Sequence, residues 1–250
     1  MFSKRANVLV EWLRERAEAA GTPGFVFGLS GGIDSAVVAR LCQMATPNRV
    51  LGVMLPCYSH EQDFTDACLV ADAFGIPSVK VDLSATFDSL TGELHKAVRG
   101  LPRTVHVTDI KQQLPEANIK PRLRMSSLYF IANSLNYLVA GTGNRSELTL
   151  GYFTKYGDGG CDVLPIGGLL KSEVRSLASE LSIPKRIIEK APSAGLWIGQ
   201  TDEAEMGFSY ETLEKYLTEG ASSVPKETAT RIEQLMRASD HKRALPPIPF

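Results

Sequence analysis

FVFGLSGGIDSAVVARLCQM, residues 25–44, decides the fold: an apolar run, a tight passage of serines and glycines, then residues that suit a helix. FVFGL carries no charged or polar side chain, as a strand covered on both faces requires; a strand with one wet face would alternate. Pro47 and Asn48 close the helical segment, and VLGVML at 50–55 supplies a second apolar strand. Strand, helix and strand in that order form a βαβ unit, whose crossover makes the two strands parallel.

The pattern continues outward in both directions. Downstream come a helix from about 62 to 74, a stop at Gly75, Ile76 and Pro77, a strand SVKVDL at 78–83, and a helix over 84–99. After a less regular segment, apolar residues at helical spacing run from about Arg122 to Asn136, and YLVAGTG at 137–143 reads as another strand entering a turn. Beyond Thr149, GYFTKYGDGGCDVLPIGGL has neither period and reads as a functional loop, with helices resuming over 171–181, 209–219 and 226–239. Upstream, Glu11, Arg14, Glu15, Arg16 and Glu18 interrupt any signal-peptide core, so the first segment reads as an amphipathic helix. The expectation is an α/β fold: a doubly wound, Rossmann-like and mostly parallel sheet with helices on both faces, in one domain spanning 1–250 without internal repeat.

The chain has 250 residues, of which 27 are basic and 28 acidic. No overall field would draw it onto nucleic acid or an anionic membrane, so an anionic ligand has to be held by local arrangement. Its apolar runs stop well short of the roughly 18 residues that a membrane span needs. Cys42, Cys57, Cys68 and Cys161 are scattered without metal-ligand spacing. They read as free thiols in a reducing cytoplasm.

A strand running through SGGIDS into a helix brings backbone N–H groups and the positive end of a helix to one point, which suits an anion such as phosphate. Gly31 and Gly32 allow close backbone approach, Ser30 and Ser35 add hydroxyl donors, and Gly28 is a further candidate contact on the strand leading in. Asp34 would repel phosphate unless a divalent cation bridges the two, which points to Mg²⁺. The alternative is an ordinary strand-to-helix turn in which Asp34 or Ser35 caps the helix.

SGGIDS resembles the signature of the ATP pyrophosphatase, or PP-loop, superfamily, with its adenine nucleotide alpha hydrolase-like fold. That resemblance implies ATP as substrate. GTGNRSELTLGYFTKYGDGGCDVLPIGGLLK, residues 141–171, resembles the ammonia-dependent NAD synthetases in particular. It implies that Glu147 joins Asp34 on Mg²⁺, that Thr142 and Lys171 meet ATP, and that Lys155, Asp158 and Asp162 approach deamido-NAD. NIKPRLRM at 118–125 resembles a segment whose alternate arginines meet phosphates. Arg122 falls to deamido-NAD and Arg124 to ATP, with Pro121 standing where the family carries alanine. PSAGL at 192–196 and the later His241–Lys242 pair resemble a mobile loop and a terminal pair; Ser193 is then an ATP contact, and His241 and Lys242 contacts of deamido-NAD.

The resemblance implies two steps: the deamido-NAD carboxylate attacks the α-phosphorus of ATP, and ammonia displaces AMP from the resulting adenylate. No protein nucleophile is required. A related PP-loop enzyme acting on xanthosine monophosphate or tRNA and a non-catalytic nucleotide sensor are the rivals; unpaired thiols and balanced charge weigh against tRNA thiolation. The chain has no room for a glutaminase domain, so free ammonia is the expected donor, with a separate glutaminase partner an open alternative. The resemblance also implies a homodimer. MSSLYFIANSLNYLV at 125–139 serves either that interface or the core.

Overall fold

The computed structural model describes residues 4–102, 104, 113–192 and 201–249. After helix α1 (Lys4–Ala19), the apolar run forms β1 (Phe25–Gly28) and leads through the glycine passage into α2 (Ile33–Ala45). β2 (Val50–Met54), α3 (Glu61–Phe74) and β3 (Ser78–Lys80) follow. α4 (Ser84–Arg99), α5 (Gln113–Ala117) and α6 (Ile119–Leu135) then bring the chain back to β4 (Leu138–Val139).

The four strands form one parallel sheet in the order β3-β2-β1-β4, with Phe25 opposite both Val50 and Leu138, and Gly52 opposite Ser78. From β1 the chain winds outward through β2 to β3 and returns on the other side at β4. The switch point therefore lies between β1 and β4, and the crevice at the carboxyl ends of these strands is where open α/β sheets bind ligands.

β1 feeds a core on each face. Phe25 and Phe27 pack with Leu13 and Leu41, from α1 and α2, and with Val174 and Leu177 from a later helix. Val26 points the other way, to Val53, Phe87 and Ala132 from β2, α4 and α6. Each such large side chain buried contributes about 1.5–3 kcal/mol. Helices thus cover both faces, as the continuous apolar run implied.

Two predicted strands are shorter than expected. β3 ends at Lys80, although Val81 and Leu83 still donate to the carbonyls of Met54 and Pro56. β4 ends at Val139: Ala140 N–H still donates to the Val26 carbonyl of β1 (2.8 Å), but Ala140 also bridges to Val163, and Gly141 N–H donates to the Val163 carbonyl.

The remaining helices are α7 (Arg145–Leu150), α8 (Lys171–Glu180), α9 (Lys185–Ile188), α10 (Asp202–Met206), α11 (Tyr210–Glu219), α12 (Lys226–Ala238) and α13 (Asp240–Arg243). Leu150, Met206, Tyr210, Leu213 and Ile232 form a smaller core that seats α10, α11 and α12 against α7. Among the described residues no helix is long and apolar enough to cross a membrane.

Candidate active site

A cavity of about 720 Å³ opens at the carboxyl ends of β1 and β4. One wall is the glycine passage. Gly31 adopts φ +75°, and Gly32 stands at the N-cap of α2 with extended backbone. The Ser35 hydroxyl donates to the Gly32 carbonyl (2.9 Å) and lies 3.1 Å from the Ser30 hydroxyl, which accepts from Gly32 N–H at 3.3 Å. Neither Asp34 nor Ser35 caps the helix, since Gly32 has no side-chain cap. Asp34 lies in the first turn of α2, where the helix dipole favours a negative charge.

The opposite wall brings Asp34 a partner from another loop. Asn144 caps α7 and forms a reciprocal box with Glu147: Glu147 N–H donates to Asn144 Oδ1 (3.0 Å) and Asn144 N–H to Glu147 Oε2 (3.2 Å). Asn144 Nδ2 also donates to Asp34 Oδ1 at 3.1 Å. One side chain thus fixes both carboxylates.

Lys171 lies between them. It is the first residue of α8, where a cation opposes the helix dipole, and only 3% of its side chain is exposed. Its Nζ lies 2.5 Å from Asp34 Oδ2 and 3.5 Å from Glu147 Oε1. Burial works against the Lys171 ammonium, but the two carboxylates outweigh it and hold its pKa above the ordinary lysine value. Burial first and the nearby Asp34 charge second push Glu147 up to about 8 despite that ammonium. The pair of acids is short of positive charge.

Among the described residues no group of three or more His, Cys, Asp or Glu is arranged to hold a metal. A cation held wholly by protein is therefore a poor match. Asp34 and Glu147 are instead hard-oxygen donors of the number Mg²⁺ takes when substrate phosphates and water complete its shell.

Gly28, Ser30, Gly32, Asp34, Ser35, Arg124, Thr142, Glu147, Asp158, Lys171 and Lys242 all line this cavity. Gly31 is turned away, its backbone pressed against α3. The two arginines separate: α6 begins at Ile119 with Pro121 in its first turn, so residues 122 and 124 lie about 200° apart around the helix. Arg124 faces the cavity, donating to the Leu55 carbonyl (3.1 Å) and the Ser59 hydroxyl (3.3 Å).

Arg122 lies outside the cavity wall, with its guanidinium 3.4 Å from the Lys155 carbonyl; Lys155 Nζ in turn donates to the His241 carbonyl. Lys242 points inward from α13 and holds the carbonyls of Gly151 and Phe153, each at 2.7 Å. Asp158 closes its own turn by accepting from Thr154 N–H at 2.9 Å. Asp162 is outside the cavity, with its oxygens taken by the Tyr129 hydroxyl (2.9 Å) and Val139 N–H (2.7 Å). Ser193 lies outside the described residues.

Sequence reasoning gave no role to Asn144, Asp202 or Tyr210. Tyr210, at the start of α11, sets its hydroxyl 2.9 Å from Asp202 Oδ2 and 3.4 Å from Glu147 Oε1, with its ring under the Lys171 ammonium. The spacing Asn144-x-x-Glu147 is a capping-box signature and was open to reading. The Tyr210 contact spans 63 residues, and no local pattern encodes it.

The family model for NAD synthase matches residues 5–246. The chain is 46% identical over 249 residues to the NH(3)-dependent NAD(+) synthetase of Carboxydothermus hydrogenoformans, covering 100% of this chain and 98% of the relative. Its fold matches the NMN synthetase of Francisella tularensis with a TM-score of 0.89 at 36% identity, covering 100% of this chain and 99% of the other. It also matches the NH3-dependent NAD synthetase of Campylobacter jejuni, with a TM-score of 0.78 at 28% identity over 98% and 97% of the two chains.

Proposed function

The chain belongs to the NAD synthase family, and we propose that it amidates deamido-NAD with ammonia at the expense of ATP, giving NAD, AMP and pyrophosphate. The observation that carries this reading is the meeting of Asp34 and Glu147, from two separate loops, around one ammonium beside the SGGIDS passage.

The nicotinate carboxylate is a poor acyl donor. Its oxygen attacks the α-phosphorus of ATP, the bond to the β-phosphate breaks, and pyrophosphate leaves. Ammonia then attacks the carbonyl carbon and AMP departs. The enzyme's part is alignment and charge stabilisation, and no side chain forms a bond to substrate. The N–H groups of the glycine passage, the Ser30 and Ser35 hydroxyls, Arg124 and Lys171 neutralise the triphosphate. Thr142, at the cavity wall, and Ser193 also serve ATP. Mg²⁺, when bound by Asp34 and Glu147, supplies further charge neutralisation. Lys171 moves from the carboxylates to the phosphates as the charge arrives.

Arg122, Lys155 and His241 form a connected group beside Lys242, which is inside the cavity. This supports a dinucleotide extending out of the cavity along that group, with Asp158 and Asp162 as further contacts. The reading takes residues 1–250 as one synthetase domain using free ammonia, in line with the printed name of the Carboxydothermus relative. It also takes the chain as a cytoplasmic homodimer. Leu90, Leu94 and Val98, one turn apart on α4, and Phe130 on α6, 76% exposed, give an apolar surface that a second copy would cover. Ala132, two residues on, is in the core. The 125–139 stretch therefore divides between core and surface.

The Francisella match supports a second reading, in which the mononucleotide replaces deamido-NAD. The test supplies ATP, Mg²⁺ and ammonia with deamido-NAD, nicotinate mononucleotide or xanthosine monophosphate, and measures the amidated product and AMP. NAD formed with equal AMP, and at higher kcat/KM than the others, supports the dinucleotide reading. Preferential NMN formation establishes the second reading, and ATP binding without turnover a sensor. Asp34→Ala and Glu147→Ala are expected to abolish pyrophosphate release, and normal turnover in either contradicts the metal assignment.

A further inference from the structure

Lys190, just beyond α9, donates from Nζ to Asp63 Oδ1 (2.7 Å), Asp66 Oδ2 (2.8 Å) and the carbonyl of Gly31 (3.4 Å). Asp66 on α3 is 3% exposed and also accepts from Gln62 Nε2 (3.0 Å) and Arg186 Nε (2.8 Å). Burial works against the Asp66 carboxylate, yet Lys190, Gln62 and Arg186 hold it below the usual carboxylate range. The cluster is a charged clamp between α3 and the segment after α9, and Lys190 and Asp63 line the cavity beside the glycine passage.

Gly31 is fitted to that clamp. It sits at φ +75°, and a Cβ there would lie 2.5 Å from the Asp63 carbonyl oxygen and 2.8 Å from Asp66 Cβ. In a planar trans peptide the carbonyl of Gly31 and the N–H of Gly32 point in opposite directions. Holding the carbonyl toward Lys190 therefore aims the Gly32 N–H away from α3, to the Ser30 hydroxyl at 3.3 Å on the cavity wall. Two successive glycines offer little steric resistance to rotation of the peptide between them. The flipped form would turn a carbonyl dipole toward an incoming phosphate and remove an N–H from the anion site.

We propose that Lys190, clamped by Asp63 and Asp66, is a positioning residue that locks the Gly31–Gly32 peptide with its N–H toward the triphosphate. The proposal rests on the reading of SGGIDS as the ATP loop.

The test is steady-state kinetics on the full chain, varying ATP at saturating deamido-NAD and the reverse, for wild type, Lys190→Met, Lys190→Arg and Asp63→Asn, with thermal melting of each. Lys190→Met should raise KM for ATP about tenfold or more, the effect of losing a charged hydrogen bond, while KM for deamido-NAD stays within about twofold. Lys190→Arg, which keeps the charge and reach, should recover most of the loss. Asp63→Asn separates positioning from direct contact. A weakened clamp raises the ATP KM, whereas an ammonium released to bind phosphate itself lowers it and overturns the proposal. Unchanged ATP KM in Lys190→Met, equal loss for both substrates, or no recovery with arginine also overturns it. Absence of ATP turnover in the wild type overturns the ATP-loop reading and this proposal together.

Discussion

Replacing Lys171 with methionine keeps most of the side-chain volume and removes one charge from between two acids. Lys171 is 3% exposed, with Asp34 2.5 Å and Glu147 3.5 Å from its ammonium, and each acid has 18% of its side chain exposed. Removing one partner of a buried ion pair costs about 3–5 kcal/mol, because the charge left behind is uncompensated. In a chain of this size about 1 kcal/mol moves Tm by roughly 2–4 °C, so Lys171→Met should melt about 6–20 °C below wild type. The two acids can relieve the strain by sharing a proton, so the loss should be smaller at pH 6 than at pH 9. Circular-dichroism melts in EDTA at both pH values measure this. Asp34→Asn in the same chain should return part of the stability, as coupled neighbours do. A Lys171→Met variant that melts within about 2 °C of wild type at both pH values would refute the reasoning, as would a deficit that asparagine leaves unchanged.

Glu147, lifted to about 8 from an ordinary 4.5, binds its proton more tightly folded than unfolded. Its contribution to stability is therefore full below pH 4.5 and is lost as pH rises through about 8. Metal-free wild type should lose stability over that window, and Glu147→Gln should flatten the slope; equal slopes in urea titrations across pH contradict it. Gly151 follows α7 at φ +67°, and a Cβ there would lie 2.1 Å from Ser239 Cβ. Gly151→Ala should cost about 2–5 kcal/mol from the left-handed backbone and the overpacking together, read as a lower urea midpoint; an unchanged midpoint contradicts it. Burial pushes the Cys161 thiol up to about 11 and raises Cys42 further. Both should react with a thiol reagent at neutral pH far more slowly than after denaturation, as mass spectrometry of timed alkylation would report.

The sheet was legible because β1 and β2 are buried on both faces and read as unbroken apolar runs. β3 and β4 were read too long, since their outer residues pair by single bonds or with Val163, a partner that local pattern does not reveal. At the site, the order of Asp34, Glu147 and Lys171 along the chain marked residues that the fold brings together. It did not show that the lysine lies between the two acids. The resemblance gave Arg122 to deamido-NAD and Arg124 to ATP, and helical geometry sends the two side chains to different surfaces. Nothing local marked Asp63 and Asp66, because their contact with Lys190 spans more than 120 residues.

The central claim is that the carboxylate is activated by attack on the α-phosphorus, and oxygen transfer tests it directly. Deamido-NAD labelled with ¹⁸O in its nicotinate carboxylate is turned over with ATP, Mg²⁺ and ammonia, and the products are resolved by mass spectrometry. The account predicts one labelled oxygen on the phosphate of AMP and none in pyrophosphate. Unlabelled AMP, or label appearing in inorganic phosphate beside ADP, would contradict it.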